Sequence, residues 1–78
     1  MNRYWYFSCG GTCNGPVRVY AGNMNEAKLL AEEECMCDGC CVLLGAYNGH
    51  EVDELTEVQK SFVPSSEFLE NVRTVSKK

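Results

Sequence analysis

The 78-residue chain has a formal net charge of −4, and 45% of its residues are hydrophobic, which argues against wholesale disorder. The acidic balance disfavours nucleic acid and an anionic membrane surface as partners because both attract basic patches, and no apolar run is long enough to span a membrane. The six cysteines are the most informative residues, since a chain of this size often needs a staple such as disulfides, a metal or a second subunit.

The cellular compartment decides how these cysteines are interpreted. An even number of cysteines in a small secreted domain indicates disulfides, whereas the same number in a reducing compartment indicates metal or redox chemistry. The apolar run within residues 1–7 is too short for a signal peptide and is soon followed by Cys9. We therefore expect a cytoplasmic protein, with a mature secreted fragment as the alternative.

The first two predicted elements are strands. Residues 4–7 are all aromatic, so both faces of a strand would carry rings. The favoured interpretation is a central strand covered on both sides, and the alternative is an exposed aromatic platform that stacks bases. Residues 17–21 alternate between apolar and polar side chains, which predicts a second strand that forms an antiparallel hairpin with the first. The connection contains Cys9 and Cys13 and is longer than a tight turn, so something else should hold it.

A helix is predicted to begin at Asn23, because Asn23 and Glu26 resemble a capping box, although Asn25 is an alternative cap. Gly39 supplies the stop signal. Four residues share one apolar stripe of this helix: Ala27, Leu30, Ala31 and Cys35. Glutamates at 32–34 crowd its C-terminal turns, where the helix dipole prefers cations, and a bound divalent cation would relieve this conflict.

The second half of the chain is less regular. Residues 41–47 form a continuous apolar run, which predicts a buried strand. Asn48-Gly49 is a hairpin signal, so residues 50–52 are expected to return as a short edge strand. Residues 53–63 fit either a helix or a strand. Pro64 breaks that pattern, and a C-terminal helix capped by Ser65 or Ser66 is expected to follow.

These elements predict a single α+β domain over residues 1–78. Its core, residues 1–63, is expected to have the order strand, strand, helix, strand, strand and to contain the cysteine cluster. The sheet is predicted to be small and mainly antiparallel, with three or four strands and one packed helix. Residues 64–78 are predicted to form the C-terminal helix and a basic tail.

Four of the six cysteines have the spacing of two chelating pairs. Structural zinc sites use four thiolate or imidazole ligands in two pairs, each with a spacing of about two to four residues. One pair lies on the hairpin connection and the other at the helix-to-strand turn, where Gly39 allows a tight backbone. The predicted Zn²⁺ ligands are Cys9, Cys13, Cys37 and Cys40. Substitute ligands are Cys35, Cys41 and, less favoured, His50.

Other thiol chemistries stay open. Cys35 on the apolar stripe and Cys41 at the head of a buried strand are in ordinary places for reduced cysteines that act as small hydrophobes. Alternatively, the thiols of residues 35–41 serve redox or metal-transfer chemistry, although thiol activation favours a helix N-terminus and these residues lie at a C-terminus. Structural disulfides or an iron–sulfur cluster are further alternatives.

No set of residues in the sequence resembles a catalytic site, since His50 is the only histidine and a Cys–His pair needs a pocket that so short a chain can hardly enclose. We therefore expect a non-catalytic zinc module that acts through a protein partner, and a homodimer remains an alternative. A third hypothesis is a single-stranded nucleic-acid binder that uses four aromatic residues. These are Tyr4, Trp5, Tyr6 and Tyr20.

Overall fold

The computed structural model describes residues 2–9, 15–35 and 41–76. In chain order they form β1 (Arg3–Cys9), β2 (Val17–Ala21), α1 (Met24–Cys35), β3 (Cys41–Ala46), a 3₁₀ turn (Gly49–Glu51), α2 (Glu57–Lys60), α3 (Ser66–Asn71) and β4 (Arg73–Ser76). The predicted α+β class is confirmed, because a small sheet carries helices packed against it.

The strands form one sheet in the order β3-β1-β2-β4. β1 pairs antiparallel with β2 and with β3, as predicted for a central strand, whereas β2 and β4 pair in parallel. The aromatic residues Trp5, Tyr6 and Phe7 are each at most 5% exposed. β1 is therefore covered on both faces, which confirms the favoured interpretation of its aromatic run.

One face of the sheet packs against α1. Trp5 and Phe7 belong to the same buried cluster as Ala27 and Ala31 of the helix, and these small side chains allow helix and sheet to approach closely. The indole Nε1 of Trp5 donates a hydrogen bond of 3.0 Å to the Ala21 carbonyl, which satisfies its buried polar atom. At the start of the helix, the Asn23 Oδ1 accepts from the Glu26 backbone N–H at 2.8 Å, as the capping prediction required.

The chain after β3 covers part of the opposite face. The rings of Phe62 and Phe68 pack on Tyr6 and on each other, with centroid separations of 5.7, 5.9 and 5.8 Å. Gly45 of β3 makes this approach possible, because a Cβ there would lie 2.5 Å from the Phe62 Cβ and 2.6 Å from the Gln59 carbonyl oxygen. The Gln59 side-chain amide also donates to the Leu43 carbonyl at 3.1 Å. This hydrogen bond satisfies a backbone acceptor of an edge strand.

The prediction of an edge strand at residues 50–52 is wrong. Asn48 adopts a φ of 55°, but Gly49 does not share a positive φ, and the hairpin turn typical of Asn-Gly needs positive φ at both residues. The chain instead enters the 3₁₀ turn, with backbone hydrogen bonds from Glu51 to Asn48 at 3.1 Å and from Val52 to Gly49 at 2.9 Å. In the ambiguous segment 53–63, α2 is a helix that begins with a capping box between Thr56 and Gln59.

The helix predicted after Pro64 exists but is shorter than expected. The Ser65 hydroxyl caps α3 by accepting from the Phe68 N–H at 3.1 Å, and the helix ends at Asn71. Residues 73–76 then form β4 instead of continuing the helix. Their β-branched residues favour a strand, and Val75 packs against the core beside its register partner Val19.

Candidate metal site and neighbouring surfaces

The predicted zinc ligands lie only in part among the described residues. Cys13, Cys37 and Cys40 are outside them, whereas Cys9 is the last residue of β1 and Cys35 is the last residue of α1. Within residues 2–9, 15–35 and 41–76, no group of three or more His, Cys, Asp and Glu side chains could hold a metal ion. The ligand set therefore stays a prediction.

Described residues next to the two predicted chelating pairs lie close together in the fold. Cys9 and Cys41 lie directly opposite each other in the antiparallel ladder between β1 and β3, which corresponds to a Cα separation of about 4.5–5.5 Å. The Cys41 thiol donates to the Ala31 carbonyl of α1 at 3.7 Å, one helical turn before Cys35. The chain thus leaves β1, leaves α1 and enters β3 at neighbouring points at one end of the sheet.

The substitute ligands occupy different surroundings. Cys41 is buried in the core cluster, which fits its interpretation as a small hydrophobe and favours the other cysteines as ligands. The His50 side chain is 71% exposed, and its Nε2 lies 3.9 Å from Glu51 Oε1. His50 follows the far end of β3, a strand that spans roughly 17 Å. This position separates His50 from the end of the sheet where Cys9 and Cys41 pair.

Among the described residues, one cationic side chain pairs with the acidic C-terminal turns of α1. Arg73 Nη1 lies 3.5 Å from Glu34 Oε1, with both side chains about two-fifths exposed, and the Arg73 Nε is buried with no hydrogen-bond partner in the described part of the chain. Arg73 lies in the segment 64–78 that was predicted to form a C-terminal helix and a basic tail, but pairing of β4 with β2 brings it to α1. Within the described residues, this one arginine pairs with Glu34 and does not balance the three glutamates at 32–34, which leaves this helix end acidic.

An aromatic surface lies on the sheet face opposite α1. The rings of Tyr4 and Tyr20 are 5.0 Å apart, and the Arg18 guanidinium lies 4.6 Å from the centre of the Tyr4 ring. Of the residues predicted to stack bases, Trp5 points into the core and Tyr6 is covered by phenylalanines. Tyr20→Ala, rather than a substitution of Trp5, is therefore the variant that would test single-strand binding.

Sequence patterns did not reveal a third feature, an apolar groove that we call the Tyr47 groove. It has a volume of about 460 Å³ and lies between the end of β3, the 3₁₀ turn and residues 60–64, with one side closed by α3. Its lining includes Tyr47, Val63 and Leu69 together with the polar residues His50 and Lys60. The groove depends on the contact between Phe62 and Gly45, for which the sequence holds no local signal.

No helix within the described ranges is both long and apolar enough to cross a bilayer. Comparison with known proteins adds no constraint: no family model, no curated protein and no solved structure matches this chain.

Proposed function

We propose that the protein is a small non-catalytic module that binds one Zn²⁺ through Cys9, Cys13, Cys37 and Cys40 and acts by binding another protein. One observation carries the proposal: Cys9 lies opposite Cys41 in the sheet, and the Cys41 thiol contacts the last turns of α1. A tetrahedral site requires the two chelating pairs to converge. The neighbouring flanks of the two turns support that convergence.

The electrostatics of the same region favour a cation. The last turn of α1 contains no basic residue, while glutamates occupy positions 32–34. Carboxylates at a helix C-terminus are unfavourable, and thiolates added there would increase the repulsion. A divalent ion would turn this repulsion into attraction, because a bound metal is the largest local charge in such a site. Thiolate ligands in a tetrahedral arrangement favour zinc among the common divalent ions.

The size of the chain gives the metal a structural role. The residues in the buried core cluster include four alanines and two valines, so large apolar side chains are few. Domains of this size often need a staple, and a structural zinc contributes its binding free energy directly to folding. Loss of the metal should therefore lower the free energy of unfolding.

Native mass spectrometry of protein purified without added zinc tests the proposal. We expect one Zn²⁺ per chain, released by a chelator with a fall in the midpoint of thermal unfolding. Cys13→Ser and Cys37→Ser should each lose the metal. Cys41→Ala is the matched control, since it removes a thiol outside the proposed ligand set and should keep full occupancy. A metal-free protein whose stability does not respond to chelator would contradict the proposal.

A thiol-redox or metal-transfer function is the second candidate. It is favoured by the direct opposition of Cys9 and Cys41 in the ladder, because a Cα separation of about 4.5–5.5 Å falls within the range that a disulfide spans. Thiol titration across a graded redox buffer separates the two candidates. A reversible two-electron step without metal supports redox chemistry, whereas resistance to oxidation until chelator is added supports the zinc module.

A further inference from the structure

We infer that the Tyr47 groove is the docking site for an acidic peptide segment of a partner protein. An apolar side chain of the partner would enter the groove, and a carboxylate beside it would pair with Lys60. The inference deepens the protein-binding part of the proposed function and rests on that part, but it does not depend on the metal.

The walls of the groove are apolar side chains that water contacts. Tyr47, Val63 and Leu69 are 61%, 82% and 42% exposed, and all three line the same groove. Isolated exposed apolar residues are ordinary on a protein surface, whereas a contiguous patch of large ones marks an interaction site. Burial of these walls against an apolar partner side chain would remove that area from water.

The charge of the side chains that line the groove differs from that of the whole protein. The chain has 11 acidic residues and a net charge of −4, yet no Asp or Glu lines the groove, which instead contains Lys60 and the only histidine. Lys60 makes no ion pair with any described residue. A carboxylate on the partner would supply the missing counter-charge, which is the complementarity that selects one partner over another.

The groove is held in shape before any partner arrives. Phe62 is fixed by its ring contacts with Tyr6 and Phe68. Behind Tyr47, the Arg3 guanidinium donates to the Tyr47 and Asn48 carbonyls at 3.4 and 3.0 Å. A preformed surface lowers the conformational entropy that docking costs.

The shape of the groove favours a peptide over other occupants. The groove is only partly enclosed, whereas small-molecule sites bury most of their ligand's surface. A nucleic acid would require several cations, and Lys60 is the single Lys or Arg that lines the groove in the described structure. A second copy of the chain would bring its own net charge of −4 but also the same Lys60, which a symmetric interface would place near its counterpart.

The test compares two synthetic peptides that contain the same Leu-Phe pair, one flanked on both sides by glutamates and the other by lysines. NMR titration of the ¹⁵N-labelled full chain should shift the amides of Tyr47, Val63 and Leu69. At an ionic strength of about 0.1 M, which screens carboxylates more than about 10 Å from the groove, we expect the acidic peptide to bind about tenfold more tightly than the basic one. Lys60→Glu should reverse this preference, and Lys28→Glu, an exposed charge on α1, is the matched control that should not.

Four outcomes would overturn the inference. Two concern the peptides: both bind equally well, or neither shifts the amides of the groove. The other two indicate a different occupant: octanoate shifts the groove amides although neither peptide does, or the amide shifts follow a concentration-dependent doubling of mass. Metal content is measured on the same samples. If the protein contains zinc but does not bind the peptide, this inference is contradicted and the metal part of the proposed function stands. If a zinc-free protein binds the peptide, only the metal part of the proposed function is contradicted.

Discussion

The two faces of the central strand β1 differ in how they are covered. On the α1 side, Trp5 and Phe7 lie in a core that excludes water almost completely. On the other side, Tyr6 is covered by Phe62, which follows α2, and by Phe68 of α3, while Tyr4 and Tyr20 form a partly open surface. The first face is built for stability. The second face leaves rings partly exposed to water, so substitutions should act differently on the two faces.

The largest expected difference is between Trp5→Ala and Tyr20→Ala. Removing the Trp5 indole leaves a core cavity and deletes the hydrogen bond to the Ala21 carbonyl, which should lower the free energy of unfolding by about 3–5 kcal/mol. Removing the Tyr20 ring should cost about 1 kcal/mol, the size of one ring pair. Urea unfolding followed by far-ultraviolet circular dichroism measures both losses.

Trp5→Phe keeps this comparison measurable if Trp5→Ala does not fold, since it retains part of the buried ring and should give an intermediate loss. Equal losses for Trp5→Phe and Tyr20→Ala would show that the two faces contribute alike, contrary to the comparison.

A smaller effect is expected at the contact that covers the second face. Gly45→Ala places a methyl group against Phe62 and the Gln59 carbonyl, so residues 59–62 must move away from β3 at a cost of about 1–3 kcal/mol. The substitution should also alter the amide chemical shifts of Tyr47 and Val63, which line the groove. Thermal unfolding and NMR spectra record the two effects.

Gly22→Ala is the matched control for Gly45→Ala. A Cβ at Gly22 would lie 3.0 Å from the Asn2 Oδ1, which belongs to a side chain that can rotate away. The free energy of unfolding of Gly22→Ala should therefore differ from that of the unsubstituted protein by less than about 1 kcal/mol. If Gly22→Ala proved as destabilising as Gly45→Ala, close packing of Phe62 on the strand would not explain the result.

The smallest effect is expected for the ion pair between Glu34 and Arg73. Both side chains are partly exposed and 3.5 Å apart, so Glu34→Gln should lower stability by no more than about 0.5 kcal/mol, and this loss should shrink at high salt. Thermal unfolding at two salt concentrations measures the loss, with Glu33→Gln as the control. A large loss that salt does not reduce would show that Glu34 has a role beyond this pair.

The sequence predicted the first half of the fold well because the signals there are local. Alternation of apolar residues identified β2, and Asn23 with the alanine stripe identified α1. β4 was missed because its position depends on parallel pairing with β2, a contact between distant residues that no local pattern encodes. The Asn48-Gly49 pair misled the prediction because a hairpin requires positive φ at both residues, and Gly49 is packed against Leu55 in another conformation.

The candidate sites, like the fold, were predictable only where the signal is local in the sequence. Cysteine spacing is visible in the sequence and predicts chelating pairs, but the register that brings Cys9 opposite Cys41 is a property of the folded sheet. The Tyr47 groove was not predictable, because residues 60–64 must first fold back over Gly45. In the sequence, Phe62 is one of several apolar residues in a segment that fits either a helix or a strand, and nothing local indicates its contact with Gly45.

The position of β4 has a consequence for biosynthesis. Residues 73–76 emerge from the ribosome after every other element described above, yet they hydrogen-bond to β2, which is made early. Until then the outer edge of β2 presents unpaired backbone groups, and such edges recruit other chains. A nascent chain can thus complete the α1 face while its sheet remains open on one side, so premature termination before Arg73 would yield an aggregation-prone product rather than a shortened functional one.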